Sequence, residues 1–145
     1  MKVLIQRVDH ASVTVNEEII GAINRGILLF VGIDKADQAE AIQRMANKVV
    51  AYRIFSDSNG KMNLNVADID GDILVVSQFT LSADTGKGLR PSFSSAAPPE
   101  LANTLYQQFV DCLKKLHAKV ATGSFAANMH VSLLNNGPVT FLLQV

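Results

Sequence analysis

The chain has one cysteine in 145 residues, Cys112, so it can form no internal disulfide. Its three histidines, His10, His117 and His130, are scattered and give no metal-ligand spacing. No apolar run approaches the length of a bilayer span, and the amino terminus turns polar at Gln6-Arg7, too early for a signal peptide. Together with the single cysteine, these absences favour a soluble, cytoplasmic protein with no membrane partner. Neither sign of charge is in excess: 13 Lys and Arg against 13 Asp and Glu give a formal net charge of zero. No global field therefore draws nucleic acid, and any RNA contact has to be local. The glycines form neither a P-loop nor a dinucleotide fingerprint, and no metal or cofactor is expected. Repeats, linkers and low-complexity segments are missing too, which leaves residues 1–145 as one domain, long enough to bury about two-thirds of its unfolded surface.

What is present centres on residues 73–81, Ile-Leu-Val-Val-Ser-Gln-Phe-Thr-Leu. The first four are apolar and mostly β-branched, as in a strand buried on both faces. Ser77, Gln78 and Thr80 then arrive before the run has ended. Burying such groups without partners costs a few kcal/mol each, so a strand of this kind commonly delivers them to the rim of a pocket. A strand end with satisfied polar groups is the alternative.

Alternation marks strands at residues 2–8 and 11–15, a return strand at 18–23, and an apolar central strand at 27–33. Asp37 and Glu40 have capping-box spacing ahead of Ile42, Met45, Ala46, Val49 and Val50, which predicts a helix over residues 38–53. A short half-exposed strand is expected at residues 61–66. Between Ser82 and Pro99 the glycines and prolines oppose regular structure, and Lys87 and Arg90 in that loop can meet phosphate. A second helix opens at Pro98-Pro99, with Leu101, Leu105, Phe109, Cys112, Leu113 and Leu116 on its core stripe and Lys114 and Lys115 near its end. Cys112 reads there as packing. Residues 129–133 and 139–145 alternate on either side of Asn135-Asn136-Gly137-Pro138, the pattern of a hairpin. The sum is an α+β fold, a mainly antiparallel sheet with two packed helices.

No histidine lies near Ser77 or Thr80 in sequence, and a straight strand would put those two hydroxyls on opposite faces, so a covalent hydroxyl mechanism has no support. A pocket of small polar groups and backbone N–H donors suits oxyanion stabilisation on an ester that is already labile. Two readings stay open on these residues: a hydrolase of a small labile ester or amide, and a non-catalytic RNA-binding module using Lys87, Arg90 and the lysines near residue 115.

Ser77-Gln78-Phe79-Thr80-Leu81 together with Asn136-Gly137-Pro138-Val139-Thr140 resembles the paired signature of the D-aminoacyl-tRNA deacylases. Ile5-Gln6-Arg7-Val8, Tyr52-Arg53-Ile54-Phe55-Ser56-Asp57, Gly60-Lys61-Met62-Asn63 and Arg90-Pro91-Ser92-Phe93 match in the same order along the whole chain. Position 136, often acidic in the family, is Asn here. The resemblance implies a homodimer that hydrolyses the ester between a D-amino acid and tRNA, and glycine mischarged on tRNA. It implies a cis Gly137-Pro138 bond that enters the partner subunit's site as a chiral filter, braced by Arg7. It also implies a pocket lined by Ser77, Gln78, Phe79 and Thr80, adenine held by Phe125 and Met129, and attack assisted by the 2′-hydroxyl of the terminal adenosine.

Overall fold

The two continuous apolar runs lie side by side at the middle of a six-stranded sheet. The computed structural model describes residues 1–145. In chain order the elements are β1 (Lys2–Val15), β2 (Glu18–Ile23), β3 (Gly26–Gly32), α1 (Ala39–Ala51), β4 (Phe55–Ser56), β5 (Met62–Leu64), β6 (Asp72–Ser77), a 3-10 turn (Phe79–Ser82), α2 (Pro99–Leu116), β7 (Val120–Thr122) and β8 (His130–Gln144). The sheet runs β2-β1-β3-β6-β7, with β8 on the remaining edge of β1. β1 is antiparallel to β2, β3 and β8, while β3-β6 and β6-β7 are parallel. The α+β class therefore holds, with a mixed sheet in which each parallel step is made by a helical crossover.

Alternation distributes the core between two faces. Ile27, Leu29, Ile73 and Val75 point to the layer of α1 and α2, where Ile42, Met45, Val49, Leu105, Phe109 and Leu113 meet them. Leu28, Leu74 and Val76 point the other way, onto Val8, Ala11, Val13 and Ile23. That second cluster exists because β1 is long. Its first half pairs with β3 and its second half with β2, so β2 folds over the far face of β6 and β7. A side chain at Gly21 would stand 2.6 Å from the carbonyl oxygen of Thr122, so only glycine permits this approach.

Four local expectations change. Residues 2–8 and 11–15 form one strand, because β8 pairs with nearly its whole length. The hairpin expected at residues 129–145 is also a single strand, β8, whose two halves share β1 as partner; residues 135–138 reverse nothing. The capping box does not form: Gln38 is the cap residue of α1, and Asp37 instead accepts the amino group of Met1 and the N–H of Asp34. On α2 the buried stripe is Leu105, Tyr106, Phe109, Val110 and Leu113, while Leu101 and Leu116 are exposed and Cys112 sits half-buried beside Gln43 of α1.

Tyr106 belongs to that stripe, 2 % exposed, and its hydroxyl donates to the carbonyl oxygen of Val75 at 3.0 Å. Burial pushes its phenol from 10.0 up to about 12. Because the folded value is the higher one, the stabilisation is complete below the unfolded value and is lost as pH rises toward 12. At about 1.4 kcal/mol per pKa unit the loss is roughly 2–3 kcal/mol. Urea unfolding from pH 9 to 12.5 is expected to show that decline in the wild type and not in Tyr106→Phe. At neutral pH the variant should be about 1 kcal/mol less stable, since the Val75 carbonyl keeps the Gly123 N–H at 2.9 Å. Parallel curves for the two proteins would rule this out.

Candidate active site

The parallel strands β3 and β6 end together. Val31 is the register partner of Ser77, and the N–H of Gln78 donates to the Val31 carbonyl at 2.7 Å, extending the ladder by one bond. Here the apolar run is exhausted and the chain leaves the sheet through the 3-10 turn at residues 79–82. A turn of this kind leaves its leading N–H groups without intrahelical acceptors. In open sheets with parallel strands, this carboxyl edge is where crevices form.

A cavity of about 500 Å³ opens at this edge. Ser77, Gln78 and Phe79 contribute one wall, Ala102 and Tyr106 of α2 a second, and Phe125 and Met129, from the segment between β7 and β8, a third. Its size suits a small ligand. Most of the lining is apolar, and it contains no carboxylate, imidazole, ammonium or thiol. The phenol of Tyr106 stays neutral at ordinary pH and is committed to Val75. Side-chain acid-base catalysis therefore has no candidate on these walls, whereas hydrogen bonding from Ser77, Gln78, Asn128 and main-chain groups does.

Ser77, Gln78, Phe79, Phe125 and Met129 converge on this one cavity. Phe125 packs its ring 5.7 Å from that of Tyr106. Thr80 is not among the lining residues. The expected straight strand ends at Ser77, and the turn carries Thr80 to an exposed position where its hydroxyl accepts the Gln78 side-chain amide at 2.5 Å. Tyr106 was missed by sequence reasoning. Its signal was the stripe Ala102, Tyr106, Phe109, Val110 and Leu113, whose helical spacing is as good as that of the expected stripe from Leu101 to Leu116.

Arg7, Gly137 and Pro138 form a second constellation that does not line this cavity. The β1-β8 register passes from Val8 opposite Asn135 to Gln6 opposite Thr140, so Arg7 alone faces residues 136–139, which bulge out of the strand. Two side chains hold the bulge. Arg7 donates through Nε to the Asn136 carbonyl at 2.9 Å and through Nη1 to the Ile54 carbonyl at 2.7 Å. Asn135 accepts the Val139 N–H and donates to Thr140 Oγ1, both at 2.9 Å. The Asn at position 136 donates to Asp9 at 2.7 Å, so the polar side chain there still has a partner. The Gly137-Pro138 peptide bond is cis, and Gly137 has φ of 137°, where a side chain would meet Val139 at 2.6 Å and Arg7 at 3.0 Å. Residues 136–138 are exposed. Asn135 and Asp9 were not anticipated; the asparagine beside the motif, read as a turn former, was their only trace.

Residues 4–144 match the family profile described as D-Tyr-tRNA(Tyr) deacylase. The chain is 66% identical to the D-aminoacyl-tRNA deacylase of Saccharophagus degradans, over 99% of each chain. It is 58% identical to the enzyme of that name from Teredinibacter turnerae, again over 99% of each. Among solved structures, a c-Myc DNA Unwinding Element Binding Protein superimposes with a TM-score of 0.96 at 40% identity, covering 100% of this chain and 99% of that one. A probable eukaryotic D-amino acid tRNA deacylase shares the fold with a TM-score of 0.86 at 16% identity, covering 99% and 98%. No helix is long and apolar enough to cross a membrane. With the Ser77-Gln78-Phe79 rim, the Arg7-braced bulge and identity running the length of the chain, the protein belongs to the D-aminoacyl-tRNA deacylase family.

Proposed function

We propose that this protein hydrolyses the ester bond of D-aminoacyl-tRNA, and of glycine mischarged on tRNA, releasing free amino acid and tRNA. The observation that carries the reading is the cavity itself. Its rim is the Ser77-Gln78-Phe79 segment of a deacylase-family chain, and its walls offer hydrogen bonds without an ionisable base. Such a site holds and polarises a reactive ester. It suits a substrate that helps in its own cleavage.

In this reading the terminal adenosine enters between Phe125 and Met129, where an unpaired base can stack on an aromatic ring. Ser77, Gln78 and Phe79 form the catalytic rim, and Thr80, whose side chain lies off the wall, takes part through the main chain of the turn, with N–H groups facing the carbonyl oxygen as it gains charge. Water adds to the carbonyl carbon, the bond to the ribose 3′-oxygen breaks, and the 2′-hydroxyl of the same ribose relays a proton to that leaving oxygen.

Selection for handedness belongs to Gly137 and Pro138, supplied by a second copy of the chain in a homodimer. The bulge is exposed and outside its own chain's cavity, so a site that uses it needs a partner. Arg7 and Asn135 restrain it, as a steric filter requires. With the amino group and carbonyl of the substrate fixed, an L side chain would overlap that main chain, and no rotamer change relieves the overlap. Glycine, having no side chain, passes.

Deacylation of matched D- and L-tyrosyl-tRNA is expected to proceed for the D ester alone; equal rates would instead fit a hydrolase of small esters in general. Thr80→Ala should stay measurably active, because no base accompanies the hydroxyl. Its complete inactivity, with folding and tRNA binding intact, would make Thr80 the nucleophile. Activity should also follow the dimer on dilution, as read by sedimentation alongside turnover. A monomer with full activity and selectivity would overturn the shared site.

A further inference from the structure

In the proposed function the cavity takes the aminoacyl-adenosine end, and the rest of a tRNA lies against the outside of the protein. The loop between the 3-10 turn and α2 is the structure next to the mouth. Its base is fixed on both sides: Asp84 and Ser92 exchange backbone hydrogen bonds at 2.7 and 3.0 Å, and the Ala97 N–H donates to the Ile33 carbonyl at 3.0 Å. Phe93, at the foot of the loop, packs its ring 5.0 Å from that of the rim residue Phe79, and both remain exposed. Beyond this base, residues 85–91 stand in solvent.

That tip contains Lys87 and Arg90 and no acidic residue. Neither cation makes an ion pair within the chain. The one carboxylate beside them, Asp84, is turned back onto the Gly86 N–H at 2.9 Å. Leu89 between them is fully exposed. Lys119, by comparison, is paired with Asp70, and Lys114 and Lys115 end α2, ~12 Å along the helix axis beyond Tyr106, its last residue on the cavity. In a chain of zero net charge, the tip is thus a local cationic site on a loop whose foot packs against the rim of the cavity.

We propose that the loop tip is a second RNA contact, in which Lys87 and Arg90 bind backbone phosphates of the acceptor stem while the cavity holds the aminoacyl end. This rests on the deacylase reading and adds a binding determinant to it. Phosphate contacts of this kind position the nucleic acid without reading its sequence. The loop accordingly governs how tightly a tRNA is held and leaves ester cleavage to the cavity.

Two substrates separate the possibilities: D-tyrosyl-tRNA and 3′-O-D-tyrosyl-adenosine, which reaches the cavity and stops short of the loop. For the Lys87→Ala, Arg90→Ala double variant, KM for the tRNA should rise at least fivefold with kcat unchanged, while kcat/KM for the adenosine ester stays at the wild-type value. Losing two phosphate contacts should also flatten the salt dependence. Between 50 and 200 mM salt the wild type should lose about tenfold more tRNA affinity than the variant. Lys87→Arg with Arg90→Lys should restore the wild-type KM. An unchanged KM and salt slope for the tRNA would overturn the loop contact and leave the deacylase reading standing. Equal losses on both substrates would make the loop a determinant of cavity shape and would also overturn it. A wild type inactive on D-tyrosyl-tRNA would remove the deacylase reading, and this inference with it.

Discussion

The pairing of β3 with β6 is the constraint on which the rest of the structure depends. Both strands are covered on both faces, by the helices on one side and by the folded-over β1-β2-β8 segment on the other, so every side chain from Ile27 to Leu29 and from Ile73 to Val76 is buried. Full burial of each large apolar side chain is worth roughly 1.5–3 kcal/mol. A polar residue in either run would have to find a partner in that interior. The strands therefore end where polarity begins, and Ser77 and Gln78 come to the edge of the sheet for the same reason that Val75 and Val76 lie inside it. The rim of the cavity is a consequence of how the core stops.

That logic explains which parts of the fold were legible. Patterns that report burial directly were reliable: the continuous run of β3, the run of β6, and the stripe Ile42, Met45, Ala46, Val49 on α1. The strand at residues 18–23 was legible as well, because turn residues bracket it. Patterns that depend on a distant partner misled. Asn135-Asn136-Gly137-Pro138 has the composition of a reversal, yet β1 is long enough to pair with the residues on both sides of it, and continuity along one partner outweighs local turn preference. Asp37 is a good cap residue by type. The amino group of Met1, brought alongside by β1, is a charged competitor that no local spacing reveals.

The candidate site divides in the same way. Phe79 came from the family likeness, whereas Ser77 and Gln78 could be located from the chain because a strand running out of apolar residues is a local event. Thr80 could not, since its position depends on whether the chain continues straight or turns, and two residues of 3-10 geometry are enough to take it off the wall. Phe125 lies in a segment without periodicity and Met129 opens the alternating run at residues 129–133, so family likeness rather than pattern singled both out for the cavity. Tyr106 lies one position beyond Leu105, on the flank of the stripe expected from Leu101 to Leu116, so spacing alone did not mark it as buried. Its hydroxyl needs an acceptor inside the core, and the Val75 carbonyl supplies one from the strand that forms the rim, which ties the helix wall of the cavity to the sheet wall.

The two constellations differ in what holds them, and the difference bears on how the proposed filter works. Packing against apolar side chains shapes the cavity. Directed hydrogen bonds shape the bulge: an arginine with a fixed fork of donors, anchored on the Ile54 carbonyl, holds the Asn136 carbonyl, and Asn135 closes the loop from inside. A pocket formed by packed side chains can adjust to a slightly different ligand through rotamer changes, because those cost little. Main chain held at several points by charge-assisted and amide hydrogen bonds has no such freedom. If discrimination between mirror images depends on overlap that must not be relieved, the bulge is the stiffer of the two surfaces and the one suited to exclude. The cavity is then left to accept side chains of varied size on the permitted side. Under the proposed function, latitude toward the side chain and strictness about handedness would be compatible, because different physical restraints would enforce them.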